Sequence, residues 1–125
     1  QYLVAKQIVR HLPAHSLVLA PPAVSRWLPT FRRYSHPVLA KPQWLKHDTQ
    51  RRVRSALMQC VRRSPPRRCV TPALDAALDR VGVDAVVLIR NQKRLKPVRA
   101  RLRAAGYALQ PWSRKLRYEV WARVS

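Results

Sequence analysis

The chain has 125 residues, with 26 Lys+Arg against 5 Asp+Glu and a formal net charge of +21. That length suits one domain, residues 1–125, rather than two, and a hydrophobic content of 47% excludes a disordered basic tail. Two glycines are too few for a glycine-rich nucleotide loop, and five acids leave little for carboxylate chemistry, so the composition names no reaction.

Residues 2–12 read as a helix or the end of one, with Leu3, Val4, Ile8 and Leu12 near one face and Pro13 as the stop. Residues 16–20 form a short buried strand closed by Pro21 and Pro22. Pro22 then suits the first turn of a short helix over 23–28, whose apolar face is Ala23, Val24, Trp27 and Leu28. Residues 37–40 read as a second short strand ended by Pro42. Asp48 or Thr49 caps the longest helix, which runs to about Arg63 with Val53, Ala56, Leu57, Cys60 and Val61 at three- and four-residue steps.

Pro65 and Pro66 build a loop. Thr71-Pro72 then opens a helix with its core on Leu74, Ala77, Leu78 and Val81, and Gly82 stands where a left-handed C-terminal residue belongs. Residues 84–89 are the clearest strand, and their near-continuous apolar character predicts burial on both faces, as in a parallel sheet. A helix over 97–105 turns Val98, Leu102 and Ala105 inward and stops at Gly106. Residues 107–112 and 117–124 then read as a closing antiparallel hairpin. In its second strand Tyr118, Val120, Ala122 and Val124 alternate with Glu119, Trp121 and Arg123. The expected fold is a single α/β layered domain, Rossmann-like, with a mostly parallel sheet and this C-terminal hairpin.

Cys60 and Cys69 read as two partly buried free thiols, with one disulfide as the alternative in an oxidising compartment. Neither has a nearby His or a C-x-x-C spacing, so no metal site is expected. No apolar run reaches the ~18–20 residues that span a bilayer, and Arg10, His11 and Pro13 interrupt the N-terminal apolar segment where a signal peptide would continue. The chain opens at Gln1 inside a helical pattern, which suggests a fragment of a longer protein.

Neither G-x-G-x-x-G nor G-x-x-x-x-G-K-[ST] follows the first strand, and the prolines there cannot supply the N–H groups that cradle phosphate. No small-molecule cofactor is therefore expected. Ser25 lies outside any nucleophile elbow. His11 and His15 have Pro13 between them, and His36, before a proline, and His47, before a cap, read as loop residues. Asp75 and Asp79 share a helix face and read as solvated, and Asp84, at the start of a strand, reads as a turn or capping residue. Ligands in open α/β sheets bind at the carboxyl ends of strands, which makes Lys41, Arg90 and Lys93 the candidate anion-binding residues, against the alternative of a plain basic loop.

The basic residues are spread over every element. Arg51, Arg52, Arg62, Arg63, Arg67, Arg68, Arg99 and Arg103 mark the expected basic surface, with further groups at Arg32-Arg33 and Arg114-Lys115. Such a field attracts polyanions, and that attraction falls with salt. Aromatics near arginines at 27–34 and 112–117 are compatible with RNA stacking, although no helix-turn-helix, zinc finger, RRM or KH signature is present. Three readings stay open: an arginine-rich bias of GC-rich coding sequence, nucleic-acid binding, and contact with anionic lipid headgroups.

Several segments together resemble the soluble tail of bacterial polytopic membrane proteins of the glycosyltransferase type, the GT-C-like families. They are Leu17-Val18-Leu19-Ala20-Pro21, Trp27-Leu28-Pro29-Thr30, the Arg-rich helix over 49–61, the helix, Gly-Val-Asp and strand unit over 78–89, Gly106-Tyr107, and Tyr118-Glu119-Val120-Trp121-Ala122-Arg123. The catalytic acids of those enzymes lie in a membrane-side loop that has no counterpart in this chain. The resemblance thus implies a non-catalytic domain outside the cytoplasm, partnered with the membrane portion of its parent protein or with anionic lipid. The runner-up is a small basic RNA-binding or ribonucleoprotein component, which would be cytoplasmic. A degenerate nucleotide-fold enzyme is the third reading.

Overall fold

The apolar periodicities settle into helices and strands over most of their expected lengths. A computed structural model describes residues 2–13, 16–27 and 48–124. Helix α1 spans Tyr2–His11, strand β1 Val18–Leu19, the one-turn helix α2 Pro22–Ser25, and α3 Asp48–Cys60. A 3-10 turn over Arg67–Val70 leads to α4, Pro72–Val81, then β2, Ala85–Ile89, and α5, Leu95–Ala104. Strand β3, Tyr107–Leu109, a 3-10 turn over Pro111–Ser113 and β4, Tyr118–Arg123, complete the order. The strand expected at 37–40 and the candidate residue Lys41 lie outside the described residues.

Local chemistry explains the ends of α4. The Thr71 hydroxyl accepts a hydrogen bond from the Ala73 N–H at 3.3 Å, and Pro72 fills the first turn, where its missing N–H costs nothing. Gly82 closes the helix at φ 78°, a left-handed conformation that glycine adopts without strain. Asp84 acts as the expected turn residue: its carboxylate accepts from the Leu17 N–H at 2.7 Å and ties the approach to β1 to the start of β2.

The four described strands form one sheet in the order β1-β2-β4-β3. β1 and β2 are parallel, and β4 pairs antiparallel with both β2 and β3. The expected hairpin is present, but the mostly parallel, Rossmann-like sheet is replaced by a mixed one with a single parallel pair among the described strands. The physical reason lies in the cause of burial. β2 is apolar throughout because side chains cover both of its faces, and that condition does not require parallel neighbours.

Two apolar clusters lie on the two sides of the sheet. Val18, Ala85, Val87 and Val120 pack with Val4, Ala5, Ile8 and Val9 of α1 and Val24 of α2. Leu19, Val86, Leu88 and Trp121 pack with Leu57 of α3 and Val61 just after it, Leu74 and Leu78 of α4, and Val98 and Leu102 of α5. The alternation along each strand sends successive side chains to opposite clusters, as the two-residue period requires. In α1 the buried stripe is Val4, Ala5, Ile8 and Val9, whereas Leu3, expected to face inward, is 62% exposed. Those four residues already fill the helix face toward the sheet, which leaves Leu3 on the outer side.

Cys60 and Cys69 form a disulfide with a Cα–Cα distance of 5.6 Å, which corrects the expectation of two free thiols. The Pro65-Pro66 loop turns the chain back, so the 3-10 turn sets Cys69 against the last turn of α3, and both cysteines are buried.

Candidate anion-binding cleft

The carboxyl end of β2 opens onto a cleft of about 590 Å³ lined by Arg63, Ile89, Arg90, Asn91, Lys115, Leu116, Arg117 and Tyr118. Four of these residues are cations and none is an acid. The cleft lies at the strand end expected to face a ligand, and Arg90 lines it. Lys93 is exposed but does not line the cleft; its backbone N–H donates to the Arg63 carbonyl at 2.8 Å, which holds the loop after β2 against the loop after α3. The Arg94 side chain reinforces that contact by donating to the Pro65 carbonyl at 2.7 Å.

Arg90 is a strut for the cleft wall. Its Nε donates to the Leu116 carbonyl at 2.6 Å, Nη2 to the Ser113 carbonyl at 2.8 Å, and Nη1 to Glu119 at 3.1 Å. All three nitrogens are committed, so Arg90 fixes the 113–116 turn and contributes its charge to the cleft. Ser113 supports the same turn: its hydroxyl donates to the Gln110 carbonyl at 2.8 Å and accepts from the Val120 N–H at 3.2 Å. Arg63, Lys115 and Arg117 are exposed and in position to meet a ligand.

Behind the wall lies Glu119, 1% exposed. Arg99 grips both of its carboxylate oxygens, with Nε to Oε1 at 2.9 Å and Nη2 to Oε2. The Trp121 indole N–H donates to Oε1 at 3.1 Å. Burial by itself pushes the Glu119 carboxyl up, but the hydrogen bonds from Arg99 and Trp121 and the charges of Arg99 and Arg90 outweigh it and hold the group below its ordinary value. The same bond to Glu119 raises the Arg99 guanidinium. Glu119 therefore stays ionised and orients Arg90.

The candidate basic residues divide by what they touch. Arg99 is held by Glu119, and the Arg103 guanidinium lies 5.2 Å over the Trp121 ring. Arg68 donates to the Gln59 side-chain carbonyl at 2.6 Å. Arg52, Arg62, Arg63 and Arg67 are exposed, and the Arg51 side chain lies outside the described residues. Of these, only Arg63 lines the cleft. Lys115 and Arg117 were legible as basic but not as cleft residues, because their placement depends on β4 lying beside β2. Glu119 was legible only as one side of an alternating strand.

Among the described residues the other acids also have partners. Asp75, expected to be solvated, pairs with Arg101 at 2.8 Å, whereas Asp79 is largely exposed and reaches Arg123 at 3.8 Å. Ser25 donates to the Ala20 carbonyl at 2.9 Å. His11 Nε2 donates to the Gln7 side-chain carbonyl at 3.0 Å, and the ring stacks on Trp112 with centroids 4.6 Å apart. Compared with family models, with curated proteins and with solved structures, the chain matches none.

Proposed function

We propose that this chain is a non-catalytic α/β domain of a membrane-bound, glycosyltransferase-like protein, and that its basic cleft holds the phosphate of an anionic lipid or lipid-linked substrate. The observation that carries this reading is the cleft at the carboxyl end of β2, where Arg63, Arg90, Lys115 and Arg117 converge without a carboxylate in the lining. Four cations around one concave volume favour a multiply charged phosphate over a single carboxylate. Arg90, oriented by Glu119, fixes the 113–116 turn that carries Lys115, so less ordering is needed when an anion arrives. The Cys60–Cys69 disulfide supports a location outside the reducing cytoplasm. No helix among the described residues is long and apolar enough to cross a membrane, so a membrane portion would belong to other parts of the parent protein.

RNA binding is the second reading, favoured by the net charge of +21. Two of the tryptophans are unsuited to it. Trp121 is 1% exposed, and Trp112 is stacked against His11. Base stacking requires an open ring face. The two readings separate in one titration series. The protein should bind glycerol phosphate at low salt and prefer vesicles containing phosphatidylglycerol to a single-stranded RNA of mixed sequence at 150 mM salt. Tighter binding to RNA than to the vesicles at that salt would replace the lipid reading with the nucleic-acid one.

A further inference from the structure

Beside the basic cleft lies a second groove of about 480 Å³, lined by Leu3 and Val4 of α1 and by Lys115, Leu116, Arg117 and Tyr118. The last four residues also line the basic cleft, so the segment 115–118 is a wall common to both. One side of this wall is cationic and the other is largely apolar. Leu3 is 62% exposed, while Val4, Ala5, Ile8 and Val9 are spent on the core. At 100° per residue, Leu3, Lys6 and Arg10 fall within about 60° of one another on the outer face of α1, and all three are exposed. Neither α1 nor the segment 111–117 contains an acidic residue.

We propose that this face docks on an anionic bilayer, with Leu3 and the groove at the headgroup boundary and Lys6, Arg10, Lys115 and Arg117 against the phosphates. The inference rests on the phosphate-binding reading of the neighbouring cleft. Charge complementarity selects the occupant. A second copy would bring another +21 charge and oppose the same cations across the contact. An amphipathic helix, ~10–12 Å across, needs a longer apolar seam than Leu3, Val4, Leu116 and Tyr118 supply. A bilayer asks only for an apolar tip surrounded by cations, the pattern of a helix lying in the interface plane.

The test uses the full chain and its variants Leu3→Asp and Leu3→Trp, with co-sedimentation on phosphatidylcholine vesicles with and without 30% phosphatidylglycerol, and glycerol phosphate as the soluble probe. Leu3 is exposed, so neither substitution disturbs the core. Leu3→Asp should weaken binding to the anionic vesicles by about tenfold or more, Leu3→Trp should preserve or strengthen it, and both should bind glycerol phosphate as the parent does. Equal vesicle binding by all three proteins, with glycerol phosphate still bound, would overturn the docking face and leave the cleft reading intact. Loss of glycerol phosphate binding in every protein, parent included, would overturn the cleft reading and the inference together. A Leu3-dependent dimer in the absence of vesicles would overturn the docking face by assigning it to a second copy.

Discussion

Glu119 shows how one side chain can organise a surface in an arginine-rich chain. It is buried on the α5 side of the sheet, where Arg99 and Arg90 match its charge and the Trp121 indole donates a hydrogen bond to it. Replacing it with Gln leaves two guanidiniums, each about a third exposed, facing a neutral amide, which should cost about 1–3 kcal/mol by urea unfolding at pH 7. The pH dependence follows from the direction of its shift. Glu119 is held below its ordinary value of 4.5, so its stabilisation is complete above that value and is lost as pH falls through the lower, folded-state value. Unfolding measured from pH 6 to pH 2 should therefore show a steeper acid loss in the parent than in Glu119→Gln. The position of Glu119 on an alternating strand was readable from the residues. Its partners were not, because Arg90 and Arg99 are separated from it by 29 and 20 residues and meet it only through sheet pairing.

At the level of elements, local chemistry was the more readable part. Thr71-Pro72 and Gly82 bracket α4 because a cap, a first-turn proline and a left-handed stop act within a few residues of one another. Thr71→Ala should lower stability by ~1 kcal/mol. Gly82→Ala should lower it by a similar ~1 kcal/mol, since a Cβ meets no atom within 4 Å and the strain comes from φ alone. Both values can be read from thermal or urea unfolding. Strand order and the disulfide required non-local information. A spacing of nine residues permits a Cys60–Cys69 bond but does not reveal that the two prolines fold the chain back to make it. A loop of that size should stabilise the fold by about 2–3 kcal/mol. Treatment with a strong reductant, or the double change Cys60→Ser and Cys69→Ser, should lower the unfolding midpoint accordingly.

At the scale of the whole molecule, the charge of +21 acquires a direction. Several arginines serve the interior and its edges: Arg99 holds Glu119, Arg101 holds Asp75, and Arg103 covers Trp121. Tyr107 extends this pattern at the opposite edge of the sheet. Its hydroxyl donates to the Val83 carbonyl at 2.6 Å and accepts from Arg123 at 3.1 Å. Burial raises the Tyr107 hydroxyl against the opposing pull of Arg123. Among the exposed cations, Arg63, Lys115 and Arg117 converge at the carboxyl end of β2, whereas Arg52, Arg62 and Arg67 do not line the cleft. If the cleft is the binding site, anion affinity depends on where a charge is removed as well as on how many are removed. Glycerol phosphate affinity at low salt, compared between Arg63→Gln/Arg117→Gln and the charge-matched Arg80→Gln/Lys96→Gln, tests this most directly. The cleft variant should lose about tenfold or more, at ~1 kcal/mol for each lost phosphate contact, while the control stays within about twofold. Equal losses in both variants would show that the anion answers only to total charge and would contradict the cleft.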